Sequence, residues 1–175
     1  MRNELILTAA FLVLSAGAVA AAPVGVTVQG YPAGVIAEAE VELPLEAHHS
    51  LFLRAGYNFT DRKDYGEHDN EEGGGPGVTV GYRYTLHDSG DGWFFGGRAD
   101  VWFLAIDWKD RGRSGSTDVV VFQPTAEAGY RARLKNGWAI SPFLALGAEI
   151  NVRTSGEDVG QGAIFLAGLT LTKSF

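Results

Sequence analysis

Apolar and polar residues alternate strictly through much of this chain. Between residues 126 and 134 one set is Ala126, Ala128, Tyr130, Ala132 and Leu134, and the other is Glu127, Gly129, Arg131 and Arg133. Residues 138–153 divide into Trp138, Ile140, Pro142, Leu144, Leu146, Ala148, Ile150 and Val152 against Ala139, Ser141, Phe143, Ala145, Gly147, Glu149, Asn151 and Arg153. The same split runs through 51–60 and 76–86, with Val78, Val80, Tyr82 and Tyr84 set against Thr79, Gly81 and Arg83. A period of two places successive side chains on opposite faces of a strand. The pattern predicts eight strands, near 23–29, 33–43, 50–60, 76–87, 93–107, 118–134, 138–153 and 161–175. The first depends on a tight turn at Gly30-Tyr31-Pro32-Ala33-Gly34; without it the count would be seven.

The connections alternate in length. Residues 61–75 form a long acidic stretch, with six carboxylates against Arg62 and Lys63, and 108–117 and 154–160 are the other longer ones. Between them lie short turns, including Lys135-Asn136-Gly137 with its Asn-Gly hairpin signal. Alternating long and short connections, an even strand number and strands of ten or more residues together suit an antiparallel up-and-down transmembrane β-barrel.

Charge decides which face points inward. The polar face carries Glu38, Glu40, Glu42, Asp100, Glu127 and Glu149 against Arg54, Arg83, Arg98, Arg131, Arg133 and Arg153, a balanced set. None of the four lysines lies on it. Arginine suits bidentate carboxylate pairs away from bulk water, whereas a solvated face would use lysine as well. The apolar face gathers aromatics near strand ends: Trp93, Phe95, Tyr84, Tyr130 and Trp138 at one rim, Tyr57, Phe59, Phe103 and Phe122 at the other. The expectation is an inverted barrel, with lipid outside and an ionic network of those twelve residues inside. Eight strands leave room only for side chains, so the network should fill the lumen rather than line a pore. Inner-face glycines (Gly56, Gly81, Gly96, Gly129, Gly147) would make room for the long arginines.

The first 22 residues stand apart. Arg2 precedes an apolar run from Leu5 to Leu14, and a small-residue tract follows in which Ala18-Val19-Ala20 has the form of a signal-peptidase site. Residues 1–22 are read as a cleaved signal peptide and 23–175 as the barrel domain. The chain has no cysteine, which excludes disulfides, thiolate metal sites and a lipidated amino terminus. A formal charge of −7 argues against nucleic acid as a partner.

These features resemble the small outer-membrane barrels of the OmpX, opacity-protein and OmpA-transmembrane-domain type, over the whole chain after the signal segment. The last strand carries the resemblance furthest: Phe165, Ala167, Leu169 and Leu171 alternate before a terminal Phe175. In that family such an ending is read by the barrel-assembly machinery. Lys173 departs from the pattern. The resemblance implies a location in the cell outer membrane, with lipid, lipopolysaccharide and the assembly machinery as partners, and a surface partner as a further candidate.

Catalysis and metal binding find little support. The histidines are His48, His49, His68 and His87. Barrels of this type that modify lipid A pair histidine with serine and an acid, and no histidine follows His87. His68 is read as a solvated loop residue, His48-His49 as part of a turn, and Asp69-Asn70-Glu71-Glu72 as a solubilising run without Ca²⁺-loop spacing. The expectation is a non-enzymatic structural or surface-interaction protein without cofactor or metal. A lipid A-modifying enzyme and a narrow passive channel are the alternatives.

Overall fold

A computed structural model describes residues 22–64 and 66–175. The expected signal segment lies, apart from Ala22, outside the described residues. The chain forms eight strands: β1 (Val24–Tyr31), β2 (Gly34–Glu46), β3 (His49–Lys63), β4 (Asn70–Thr85), β5 (Gly92–Asp110), β6 (Arg113–Arg133), β7 (Trp138–Ser155) and β8 (Gly162–Lys173). Each pairs antiparallel with the next, and β1 pairs with β8 to close the ring. Closure leaves no unpaired sheet edge. Both termini of the described chain lie at one end, here the terminal end; the opposite one is the far end.

The turn predicted after β1 is present, so the first strand is separate. The Asn-Gly signal is also expressed in the backbone. Asn136 and Gly137 adopt φ of 59° and 74°, the left-handed geometry that a tight link between twisted strands requires.

The long connections are shorter than expected. Strand β3 continues to Lys63 and β4 begins at Asn70, leaving 64–69 as the connection. Strand β5 runs to Asp110 and β6 starts at Arg113, so 111–112 is a two-residue hairpin. The barrel wall is therefore uneven, with 19 and 21 residues in β5 and β6 but 8 in β1. The tall side projects beyond the short side at the far end.

Along β5 the polarity of the faces inverts. From Trp93 to Phe103 the outward residues include Trp93, Phe95, Val101 and Phe103, while Arg98 and Asp100 point inward. Beyond that, Asp107 and Lys109 face outward and Trp102, Leu104, Ile106 and Trp108 face inward. The inner apolar residues of β5 join Ile36, Val119, Val121, Ala145, Val159, Ile164 and Leu166 in one core. The barrel thus has two zones. The terminal-end zone is apolar outside and ionic inside; the far-end zone is polar outside and holds that apolar core inside together with a buried Arg62–Glu71–Glu149 set.

Candidate functional site in the barrel interior

Strand β2 supplies three carboxylates at alternate positions, so Glu38, Glu40 and Glu42 share the inner face, each at most 4% exposed. Register sets Arg54 of β3 directly opposite Glu40, and its Nε donates to Glu40 Oε2 at 2.6 Å. Arg83 of β4 reaches across the lumen, donating from Nη1 to Glu42 Oε2 at 3.0 Å and from Nη2 to Glu127 Oε1 at 3.3 Å. Arg131 of β6 also holds Glu42, with Nη1 3.1 Å from Oε1. Arg98 of β5 donates to Gln29 at 2.8 Å and to Thr125 at 3.0 Å, with Asp100 Oδ2 3.3 Å from its Nε. Gln29 links onward to Glu38 at 3.0 Å.

Aromatic rings separate the guanidinium groups. Phe52 lies between Arg54 and Arg83, 4.4 and 4.5 Å from their central carbons, and Phe94 lies 4.7 Å from Arg83 on another side. Such stacking stabilises a cation out of bulk water. The inner glycines serve these rings more than the arginines. A Cβ at Gly81 would sit 2.1 Å from Phe52, and one at Gly129 would sit 2.4 Å from Phe94. The expectation that these two glycines accommodate arginine is corrected accordingly, because the strand opposite each carries a ring that fills the space.

The layer holds five carboxyl groups (Glu38, Glu40, Glu42, Asp100, Glu127) and four guanidinium groups (Arg54, Arg83, Arg98, Arg131). Thr79 Oγ1 lies 2.8 Å from Glu38 Oε1 and 2.5 Å from Asp100 Oδ1. A hydroxyl has a single proton to give. The geometry therefore fits one of the two carboxyl groups carrying a proton of its own, in keeping with the surplus of acids.

Three of the twelve expected residues lie elsewhere. Glu149 sits in the far-end zone, where it accepts from Arg62 at 2.8 Å and from Gln123 at 2.9 Å. Arg153 is exposed on the outer face. Val120 pairs with Arg153 and Val121 with Asn151, so Val152 is an extra residue in β7. This bulge shifts the alternation by one and turns Arg153 outward. Arg133 is exposed at the terminal-end mouth, where it bonds the carbonyl of Ser89. That mouth is a cavity of about 650 Å³ bounded by Glu42, Arg131, Arg133, His48 and Trp138, among others.

Two far-end features were not anticipated. Arg62 and Glu71, expected as surface charges, are buried and joined at 2.7 Å. Alternation continues through Asn58, Thr60 and Arg62 on the inner face, which is the signal that placed them. His68, expected in solvent, is buried and stacks on Trp108 with ring centroids 4.2 Å apart. Its Nδ1 lies 2.9 Å from Asp110 Oδ2 and its Nε2 3.0 Å from the Asp158 carbonyl. With both nitrogens engaged, this ring has none to offer a serine nucleophile. At the terminal end, His48 is half-buried, with Nδ1 2.7 Å from the Thr85 carbonyl and Nε2 2.7 Å from Asp88. His49 bonds the Tyr82 hydroxyl. Both histidines thus tie the 47–48 turn to the neighbouring segment instead of only facing water. Phe175 lies beyond β8 and is exposed, while Lys173 bonds the Asn136 carbonyl, 5.7 Å from the Trp138 ring.

This ring of strands has a solved counterpart. The crystal structure of the N-terminal β-barrel domain of Pseudomonas aeruginosa OprF aligns with 87% of this chain and 96% of its own, at a TM-score of 0.51 and 12% identity. Identity that low speaks to the fold alone. No known family and no curated protein matches the sequence.

Proposed function

We propose that this chain is an integral outer-membrane barrel with a closed lumen and a non-enzymatic, structural or surface-interacting role. The observation that carries the reading is the inversion of polarity in the terminal-end zone. Val26, Val80, Phe103, Trp93 and Leu146 are 55–63% exposed on the outside, while Arg54, Arg83 and Glu40 are at most 2% exposed inside. A continuous apolar belt of this kind is costly against water and favourable against lipid. On β5 the belt spans Trp93 to Phe103, the length that crosses a bilayer when the strand is tilted. Trp93 and Tyr130 pack edge to face at 5.4 Å on the terminal-end rim, and Tyr57 and Phe59 at 4.7 Å on the other. Those rims suit the two lipid–water interfaces.

In this reading the terminal end faces the periplasm and the far end the exterior. The lipid partners are phospholipid and lipopolysaccharide, and the β8 pattern with Phe175 is offered to the barrel-assembly machinery. The interior network supports a plug rather than a channel. The test is fractionation with electrophoresis. The protein should remain with outer membranes through alkaline extraction, and its SDS migration should shift on boiling. Release into the soluble fraction together with unshifted migration would refute the proposal.

A further inference from the structure

The far end is closed by a lid. In the 156–161 connection Val159 is buried in the apolar core, and Gly160 lies beneath the surface beside Arg62 and Glu71. Several bonds hold the segment in place, among them one from Thr117 Oγ1 to the Glu157 carbonyl at 2.8 Å and one from the Asn151 N–H to Gln161 Oε1 at 2.9 Å. Glu71 accepts the Gly160 N–H at 3.0 Å, Arg62 donates to the Gly160 carbonyl at 2.8 Å, and Asn151 donates to the Val159 carbonyl at 2.8 Å. A further hold, and the one that can titrate between its charged and neutral forms near pH 7, is His68, whose Nε2 meets the Asp158 carbonyl while its Nδ1 meets Asp110. The 64–69 connection, the end of β5 and the 156–161 lid therefore converge on one imidazole. Glu71 fixes that imidazole's backbone, accepting the N–H groups of Glu67 at 2.9 Å and His68 at 3.2 Å. The Asp69 N–H donates to Asp110 Oδ1 at 3.1 Å.

The two partners of the ring are both acceptors. A carboxylate oxygen and a backbone carbonyl have no proton to give, so the ring must donate from both nitrogens, which only imidazolium does. We infer that His68 is a titratable latch, whose imidazolium pins the 156–161 lid over the far end and whose deprotonation releases it. Loss of either ring proton sets a lone pair against an acceptor, so one of the two contacts must break.

The surroundings favour the closed form. Burial disfavours the charged ring, but the hydrogen bond and charge of Asp110 and the Asp158 carbonyl outweigh it and raise His68 above the usual histidine value. The bond from His68 in turn lowers Asp110. The charged groups around the ring are Asp110 from β5 and Glu71 from β4, with Arg62 from β3 paired behind Glu71 and Arg113 from β6 acting on Asp110. Arg113 lies 5.7 Å from the Trp108 ring and is paired with Glu157 of the lid. Arg62 is neutralised by Glu71 and Glu149. Because the folded value is raised, the latch is fully formed below about pH 6.5, the unperturbed histidine value. It is lost as pH rises through the folded value.

The test is nuclear magnetic resonance of the folded protein in micelles, with ¹⁵N-labelled histidine rings and amide exchange. His68 should be doubly protonated below about pH 6.5 and should titrate above that usual histidine value. Asp110→Asn should lower that titration. Exchange of the Gly160 amide, corrected for its intrinsic pH dependence, should rise about tenfold across the titration as the lid opens locally. In His68→Gln the step should vanish, leaving exchange fast throughout. A His68 ring that is neutral below about pH 6.5 would overturn the inference, as would a step in Gly160 exchange that persists in His68→Gln. Should His68→Gln not fold, the ring protonation state and its response to Asp110→Asn decide the matter alone.

Discussion

Removing Arg83 tests whether the interior is held together by paired charge. The residue is 1% exposed, lies within 3.7 Å of Glu40, Glu42 and Glu127, and stacks against Phe52 and Phe94. After Arg83→Ala, Glu42 keeps Arg131 and Ser50. Glu127 keeps only Arg98, at 3.8 Å. Stranding a buried charge typically costs about 3–5 kcal/mol. Each lost ring contact adds about 0.5–2 kcal/mol. Arg83→Met isolates the charge from the volume and should retain the first cost. Glu127→Gln alone should also destabilise, because it unbalances Arg83. Combined with Arg83→Met it should cost less than the sum of the singles, by at least about 1 kcal/mol, if the two are coupled. The assay is reversible denaturant unfolding in lipid vesicles, followed by tryptophan fluorescence. Single substitutions costing under about 1 kcal/mol, with additive doubles, would mean that water already solvates these groups, and the plug would be wrong.

Three further outcomes follow from the same interior. Gly81→Leu should destabilise by roughly 1–3 kcal/mol or more through overpacking against Phe52, read by the same unfolding assay, whereas Gly30→Ala should be tolerated because nothing lies within 4 Å of a Cβ there. The Glu38–Thr79–Asp100 contact should give a protonated-carboxyl stretch in the infrared at neutral pH that disappears in Asp100→Asn. Wild-type protein in planar bilayers should conduct poorly, and a stable large conductance would contradict a filled lumen.

Much of the barrel was legible in the sequence because period two is a property of single strands. Leu51 to Thr60 and Trp138 to Val152 reveal both faces without knowledge of neighbours. The strand extensions past residues 60 and 107 were obscured for a physical reason. Past residue 107 the outer face carries Lys109 and the inner face Trp108, and past residue 60 charges fall on both faces, Asp61 and Lys63 outside and Arg62 inside, so these residues read as a loop although the backbone stays extended. The Val152 bulge left no compositional trace, and a single inserted residue sufficed to move Arg153 from the lumen to the outer face. The Arg62–Glu71 pair faces across the paired strands β3 and β4, and the His68 contacts join one connection to the end of β5 and to the 156–161 connection. Spacing along one strand carries no information about such meetings. The roles of Gly81 and Gly129 depended on which cross-strand neighbour held the bulky ring.

The central claim, an apolar belt in lipid around an ionic interior, is tested most directly by arginine placed on the outer face at different heights. Val80 and Leu144 lie mid-belt and exposed, and Ala105 lies beyond Phe103 on the same outer face of β5. In vesicles, Val80→Arg and Leu144→Arg should each cost about 2–4 kcal/mol, and Ala105→Arg no more than about 1 kcal/mol. Equal, small effects at all three positions would mean that water, not lipid, meets the belt, and the inverted barrel would be contradicted.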